Sequence, residues 1–397
     1  MVDVLLVGGG VASAACAGEL RARGFEGSVV LAGRELDPPY ERPPCSKDYL
    51  RGAVERAAIA LELPGDVEVR TRTSVLKLDP AARTARLSDK SELEYGQALI
   101  ATGANVRRLP VDGAQLEGIH YLRTLGNADA IRRDAEGARS AVVVGGSYLG
   151  TELAASFVEL GLEVTIVCLE EAPLERHYGA AAGGWFARLL AERGVKIAGG
   201  RALGAFTGEG ERVTGVRTED GETFAGDLVV VAAGAVPDAM LARQSGLELG
   251  ALGGVRCDAG LRVHGTEGLY AAGDVCEWES PLHGAPARIE HWEVAAAQGR
   301  TAARNMLGDG VAHEEVPYFW SDLSDWVTSE YVGVAGEHGW DDEVVRGSLD
   351  DGAFSVWQLR DGRVVGVLSV RRGEDLDEAR RLIASGERIA AADLQGG

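Results

Sequence analysis

Two glycine-rich turns constrain this chain more than any other feature: VLLVGGGVASAACAGEL at residues 4–20 and AVVVGGSYLGTELAASF at residues 141–157. Each reads as a short buried strand, a turn built without side chains, and a helix rich in alanine. Such a turn points backbone N–H groups and the positive end of a helix dipole at a pyrophosphate. A single turn of this kind also joins a strand to a helix for packing alone. Two in one chain, with the intervening elements in the right order, imply two dinucleotides. FAD plus a nicotinamide cofactor is the economical pair.

The elements around the turns fix an order. Residues 1–36 read β-α-β, with a strand over 2–7, a helix to about Gly24 and a strand over 28–32. The stretch DPPYERPPCSK (37–47) holds four prolines, which excludes a regular helix or a central strand. ALIATGA (98–104) reads as a strand returning to the first domain, and a helix over 128–136 precedes the second β-α-β unit. That unit opens at Ala141 and runs to EVTIVCL (163–169). RVTGVRTEDGETF (212–224) signals a hairpin turning at Asp220-Gly221. DLVVVAAGAVPD (227–238) and GLYAAGDV (268–275) follow as strands. The predicted fold class is α/β with two Rossmann-like nucleotide-binding domains, the second inserted in the first. Residues 1–108 and 229–312 form the FAD-binding domain and 109–228 the NAD-binding domain. Strands rich in Trp, Tyr and Val (317–370), closed by a helix over 376–384, imply a small C-terminal α/β domain at 313–397.

Composition removes several classes. With 46% hydrophobic and 25% charged residues, the chain is that of a soluble globular protein. A net charge of −21 argues against nucleic acid or an anionic membrane surface as partner. There is no apolar run of about 18 residues to span a membrane and no basic leader, so the cytoplasm is expected. The five cysteines form no CxxC or CxxxxC pair and the seven histidines no HExxH, so neither a metal centre nor a disulfide relay is expected.

The segment PYERPPCSKDYL (39–50) is the most specific signature in the chain. Together with ATGA, GLYAAGDV, RIEHWEVAAAQGRTAARNML (288–307) and PYFWSDLSDW (317–326), it resembles in order and spacing the FAD-dependent NAD(P)H:ferredoxin or rubredoxin reductases. These putidaredoxin-reductase-like flavoproteins serve oxygenases and are related to apoptosis-inducing-factor-like flavoproteins. The resemblance covers nearly the whole chain and implies the glutathione-reductase-like FAD/NAD(P) fold. It implies FAD contacts from Gly8, Gly10 and Ser13 of the first turn, Arg42 and Lys47 of the Pro-rich loop, Ala101 of ATGA and Asp274 of the AAGD end. Trp292 and Trp320 are expected near the flavin ring, and Arg123 and Val75 are expected to reach FAD. The usual acidic ribose ligand aligns with Arg34, so the neighbouring Glu35 is expected in that role. Gly145, Ser147, Tyr148, Leu149, Glu152 and Gly234 are expected around the nicotinamide cofactor. The chain departs from the family pattern at Ser13 and Ser147, where glycine is usual, and at Cys45, where leucine is usual.

The implied reaction takes a hydride from NADH onto FAD and passes electrons singly to a [2Fe–2S] ferredoxin. Residues 163–175 contain no Lys or Arg to receive a 2′-phosphate, so NADH is preferred over NADPH, with Glu170 on the ribose although the family's acidic position falls on Cys168. Lys47 and Glu152 are expected to meet as an ion pair across the domain junction, near flavin N5, and to be catalytic. A monomer or homodimer is expected. Docking of an acidic ferredoxin would use Arg42, Lys47, Arg51, Arg56 and the pair Arg371-Arg372, against a C-terminal segment with 18 acidic and 8 basic residues from His313 onward. The alternatives are an NADH oxidase or quinone reductase, and an apoptosis-inducing-factor-like NADH-binding sensor.

Overall fold

The strands that open each β-α-β unit are continuous apolar runs rather than alternating ones, which is the pattern of parallel strands covered on both faces. The computed structural model describes residues 1–335 and 339–394. Its chain divides into two compact units. Unit 1 comprises Met1–Glu41, Arg56–Asn105 and Ala235–Pro317, and unit 2 comprises Arg42–Glu55, Val106–Gly234 and Tyr318–Gly397.

In unit 1, β1 (Val2–Val7) lies between β2 (Val29–Ala32) and the strand Glu92–Ile100, parallel to both, with Val7 beside Ala32 and Ile100. Leu269–Ala271 pairs in parallel with the far side of Glu92–Ile100. Antiparallel strands Val75–Asp79 and Thr84–Leu87 extend that sheet. Helix α1 (Val11–Ala22) follows β1 and ends before Gly24, whose φ of +80° suits a residue without Cβ. Against α1 packs the helix Trp292–Met306. Gly299 sets their separation, because a Cβ there would fall 2.2 Å from the Ala12 carbonyl oxygen. Leu6, Ala17, Leu20, Ala302 and Ala303 fill the space between sheet and helices.

Unit 2 repeats the design. Strand β3 (Ser140–Val144) pairs in parallel with β4 (Glu163–Val167) and with Leu228–Val231, and helix α2 (Tyr148–Glu159) connects β3 to β4. The helix expected from residue 128 begins three residues earlier, at Leu125. Thr124 and Asn127 form a reciprocal capping box there. The long strand expected over 227–238 is two pieces, Leu228–Val231 and Ala235–Pro237, broken where Gly234 takes φ +93°. The Asp220-Gly221 hairpin forms as expected, and Leu203–Glu209 adds a strand to it. The C-terminal segment is an antiparallel sheet in the order β5 (Tyr318–Leu323), Val327–Gly333, Arg363–Val370, Ala353–Arg360, Asp342–Ser348, followed by the helix Asp375–Ser385.

Candidate active site

The first turn is pressed against the strand beside it. Gly8 has φ +121°, and a Cβ on it would lie 2.1 Å from the Ala101 carbonyl oxygen. Ala101 in turn donates its N–H to the Val7 carbonyl at 2.8 Å. Gly10, the residue preceding α1, differs: its φ of −104° is ordinary and a Cβ on it would meet nothing within 4 Å. No side chain caps α1, and the space where a Cβ on its N-cap Gly10 would stand is open. Close by, Ser13 is fully buried and its Oγ has no partner among the described residues. Gln298 accepts from the Gly273 N–H at 2.8 Å, and its Nε2 is buried without a partner among those residues. A Cβ on Gly273 would lie 3.4 Å from that of Ala295 and 3.7 Å from that of Ala12, so the AAGD end, α1 and the helix Trp292–Met306 converge. An uncapped helix, an open glycine and orphaned buried donors are what a pyrophosphate-bearing cofactor completes. The residues present fit FAD.

The remaining FAD candidates of unit 1 lie around this convergence or along its sheet. Asp274 follows Gly273 and its carbonyl accepts from Arg288 at 3.1 Å. Trp292 opens the helix Trp292–Met306. Val75 is buried in its strand. Glu35 accepts from the Tyr40 hydroxyl at 2.6 Å. Arg34, at the position where the family carries an acid, turns to Asp238 at 2.5 Å and to Asn105 at 2.9 Å. Arg34 therefore leaves Glu35 as the carboxylate after β2.

In unit 2 the second turn shows the same close packing. Gly145 has φ +116° with a Cβ position 2.3 Å from the Ala232 carbonyl oxygen, and a Cβ on Gly150 would lie 1.9 Å from the Gly145 oxygen. Ser147 precedes α2, and Tyr148 and Leu149 begin it. Gly234 accepts from the Arg107 N–H at 3.0 Å. Gly146 packs on Cys168, whose Cβ lies 2.9 Å from the Cβ position of Gly146. Cys168 is thus sealed beneath the turn, and burial first, then Glu170, Glu171 and Glu175, pushes its thiol up to about 12. Glu170 and Glu171, the next two acidic residues, are not buried.

Lys47 and Glu152 meet with Nζ 2.7 Å from Oε2. Both belong to unit 2, because the Pro-rich segment Arg42–Glu55 is compact with that unit and not with the first as the chain order suggests. Pro43 and Pro44 open a 3-10 turn, Pro43–Ser46, that hands over to the short helix Asp48–Arg51 at Lys47. Three bonds pin this segment to α2. Ser46 Oγ donates to Glu152 Oε2 at 2.6 Å, Ser156 Oγ donates to the Ser46 carbonyl at 2.7 Å, and Arg51 donates to Ser156 Oγ at 3.0 Å. Residues 152 and 156 are one helical turn apart, so the contacts run down one face of α2. The other oxygen of Glu152 accepts from Ser321 Oγ at 2.6 Å, a residue of β5. Glu152 is 7% exposed, so its charge is held by one cation and two hydroxyls. Arg42 donates to the Arg123 carbonyl at 2.6 Å, and Trp320 lies on β5 with its ring 6.4 Å from that of Tyr318.

Ser46, Ser321 and His177, whose imidazole lies 3.0 Å from Ser147 Oγ, were not signalled by the sequence. The docking cations expected from it are partly spoken for: Arg51 pairs with Asp48, Arg56 with Asp37 and Arg372 with Asp375.

Residues 2–299 match the family described as pyridine nucleotide-disulphide oxidoreductase. The chain belongs to that family. Residues 318–396 match the reductase C-terminal family, which covers β5 and the sheet after it. Within the family the chain is 33% identical over 390 residues to rhodocoxin reductase of Rhodococcus erythropolis, covering 97% of this chain and 90% of that one. It is 36% identical over 393 residues to the ferredoxin–NAD(+) reductase component of the anthranilate 1,2-dioxygenase system of Burkholderia cepacia, covering 96% and 94%. Among solved structures, the covalent putidaredoxin reductase–putidaredoxin complex matches with a TM-score of 0.91 at 31% identity, over 100% of this chain and 96% of that one. Unlike the disulfide chemistry in the family's name, all five cysteines here are free and buried. No helix among the described residues is long and apolar enough to cross a membrane.

Proposed function

We propose that this chain is an FAD-containing NADH:ferredoxin reductase that supplies electrons to an oxygenase. The observation that carries this reading is the pair of uncapped glycine turns, each glycine-locked to its own parallel sheet, in a chain with relatives over nearly full length that are named as ferredoxin–NAD(+) reductase components of dioxygenase systems. Bound FAD supplies the conversion between a two-electron donor and a one-electron acceptor. In unit 1, Gly8, Gly10, Ser13, Gln298 and Asp274 hold that cofactor, with Glu35 on its ribose. In unit 2 the turn Gly145–Gly150 receives the pyrophosphate of NADH. Lys47 would supply positive charge to balance the negative charge of a reduced flavin, and Glu152 fixes the ammonium in place. Ser46 and Ser321 in turn orient the carboxylate. With all cysteines buried singly or away from a relay motif, electrons leave without thiol chemistry. We also assign the cytoplasm as its compartment, where NADH is supplied.

The test is to follow reoxidation of the NADH-reduced protein by a [2Fe–2S] ferredoxin with cytochrome c, by a quinone and by air. Fast turnover only with ferredoxin is expected. Fast reoxidation by quinone or oxygen alone would make it an oxidase or quinone reductase, and slow reoxidation by every acceptor would make it a sensor.

Two further results are expected. The protein should purify yellow with one FAD bound noncovalently, and a folded colourless protein that cannot be reconstituted would end this reading. NADH should be preferred over NADPH, because Glu170 and Glu171 follow β4 while no cation lies in 163–175. Specificity constants kcat/KM measured for both cofactors check this, and a tenfold preference for NADPH would contradict it.

A further inference from the structure

The second turn carries a side chain where the first has Gly10. Ser147 has the extended backbone of a residue that precedes a helix, φ −84° and ψ −173°. A serine in that geometry ordinarily accepts from an N–H two or three residues on. Ser147 does not cap α2. Its Oγ lies instead 3.0 Å from His177 Nε2, on the short helix Glu175–Tyr178 that follows β4. His177 is itself fixed. Its ring stands 4.6 Å from that of Tyr148, and its carbonyl accepts from Gln358 Nε2 at 3.0 Å. Burial first, and Arg176 second, lowers its pKa to about 4, so the imidazole is neutral near pH 7. The hydroxyl is therefore drawn away from the helix it precedes, and the first-turn N–H groups of α2 keep no side-chain cap among the described residues.

A serine hydroxyl has one proton to give. If it donates that proton to an unprotonated Nε2, it offers a phosphate only lone pairs. If Nε2 carries the hydrogen of the neutral ring, the imidazole donates to Oγ and the hydroxyl proton is free for another acceptor. We infer that Ser147 and His177 act together as a hydroxyl–imidazole clamp for the pyrophosphate of the nicotinamide dinucleotide, His177 Nε2–H orienting Ser147 so that its hydroxyl donates to a phosphate oxygen. The inference rests on the second turn being the NADH site. Ser147 touches the ligand and His177 is a positioning residue that acts through it. The clamp grips a part of the dinucleotide that does not react, so it tightens ground state and transition state alike and acts on KM rather than kcat.

The test uses the FAD-loaded protein and calorimetric titration with ADP-ribose, which carries the pyrophosphate but no nicotinamide. A hydrogen bond to a charged group sets the scale, so S147G and H177L should each weaken ADP-ribose by about tenfold or more. H177Q, whose amide nitrogen reaches about where Nε2 does, should bind within about twofold of the unmodified protein. In the S147G background, H177L should add nothing, since the histidine has no hydroxyl left to orient. KM for NADH should rise with the dissociation constant while kcat holds. FAD content and thermal unfolding confirm that each variant is folded. S147G binding ADP-ribose as tightly as the unmodified protein, or more tightly because glycine lets the phosphate closer, overturns the clamp. So does an equal loss from H177L with and without Ser147, which marks a ring that only packs. Failure of the unmodified protein to bind ADP-ribose removes the NADH site itself, and the clamp with it.

Discussion

Lys47→Ala should slow reduction of the flavin by NADH about a hundredfold, since a charge preorganised in a partly dry site is commonly worth about 3 kcal/mol. Lys47 Nζ is 2.7 Å from Glu152 Oε2, with only 11% of its side chain exposed, so water cannot replace it cheaply. Stopped-flow absorbance measures the rate directly, and FAD content should change little. The variant also leaves a buried carboxylate with two hydroxyl donors and no cation, which costs on the order of 3–5 kcal/mol of stability. That loss is separable. Adding Glu152→Gln removes the orphaned charge, so the double variant should regain stability to denaturant without regaining the rate. Reduction of Lys47→Ala at the unmodified rate would sink the assignment.

Gly8→Ala and Gly10→Ala should part company, although they are two residues apart in one turn. Gly8 sits at φ +121° with its Cβ position 2.1 Å from the Ala101 oxygen, so alanine must both strain the backbone and push the end of β1 off its neighbour. Strain and overpacking each cost roughly 1–3 kcal/mol, so a loss of about 2–6 kcal/mol is expected, with FAD lost as a consequence. Gly10 has an allowed φ and nothing within 4 Å, so alanine there should leave the apoprotein as stable as before. The added methyl stands in the open approach to the helix N–H groups, and FAD binding should fall at least tenfold. Denaturant titration of the apoproteins and FAD titration read the two effects apart. Unchanged FAD affinity in Gly10→Ala would show that no phosphate approaches at that residue.

What the sequence made legible was local or repeated. The apolar runs of β1 and β3, with glycines directly after them, placed both turns, because a buried parallel strand and a side-chain-free turn are each written in consecutive residues. The start of the helix at Leu125 is written too, in Thr124 and Asn127, three residues ahead of the start expected at 128. The partners of Glu152 show why the rest was hidden. Lys47 lies in the Pro-rich motif PYERPPCSKDYL, whose family resemblance marks it. Ser46 and Ser321 are ordinary serines whose part depends on contacts across 106 and 169 residues. Arg34 likewise gives no local hint of Asp238, 204 residues on. The grouping of Arg42–Glu55 with unit 2 follows from such contacts as well, since Ser46 and Arg51 are bonded to α2.

The separation of Ser321 from Glu152 also sets a timetable for biosynthesis. A ribosome adds about 5–20 residues per second, so the 169 residues between them take roughly ten to thirty seconds. Through that interval a nascent chain can join Glu152 to Ser46 and Lys47, but one oxygen of its carboxylate must remain hydrated or unpaired. A message cut short before β5 would release a protein with both dinucleotide turns translated and this carboxylate incompletely bonded. Strand β5 thereby gives the cell a chemical difference between a chain finished past it and one that is not, and degradation of the truncated product should outpace that of the full one.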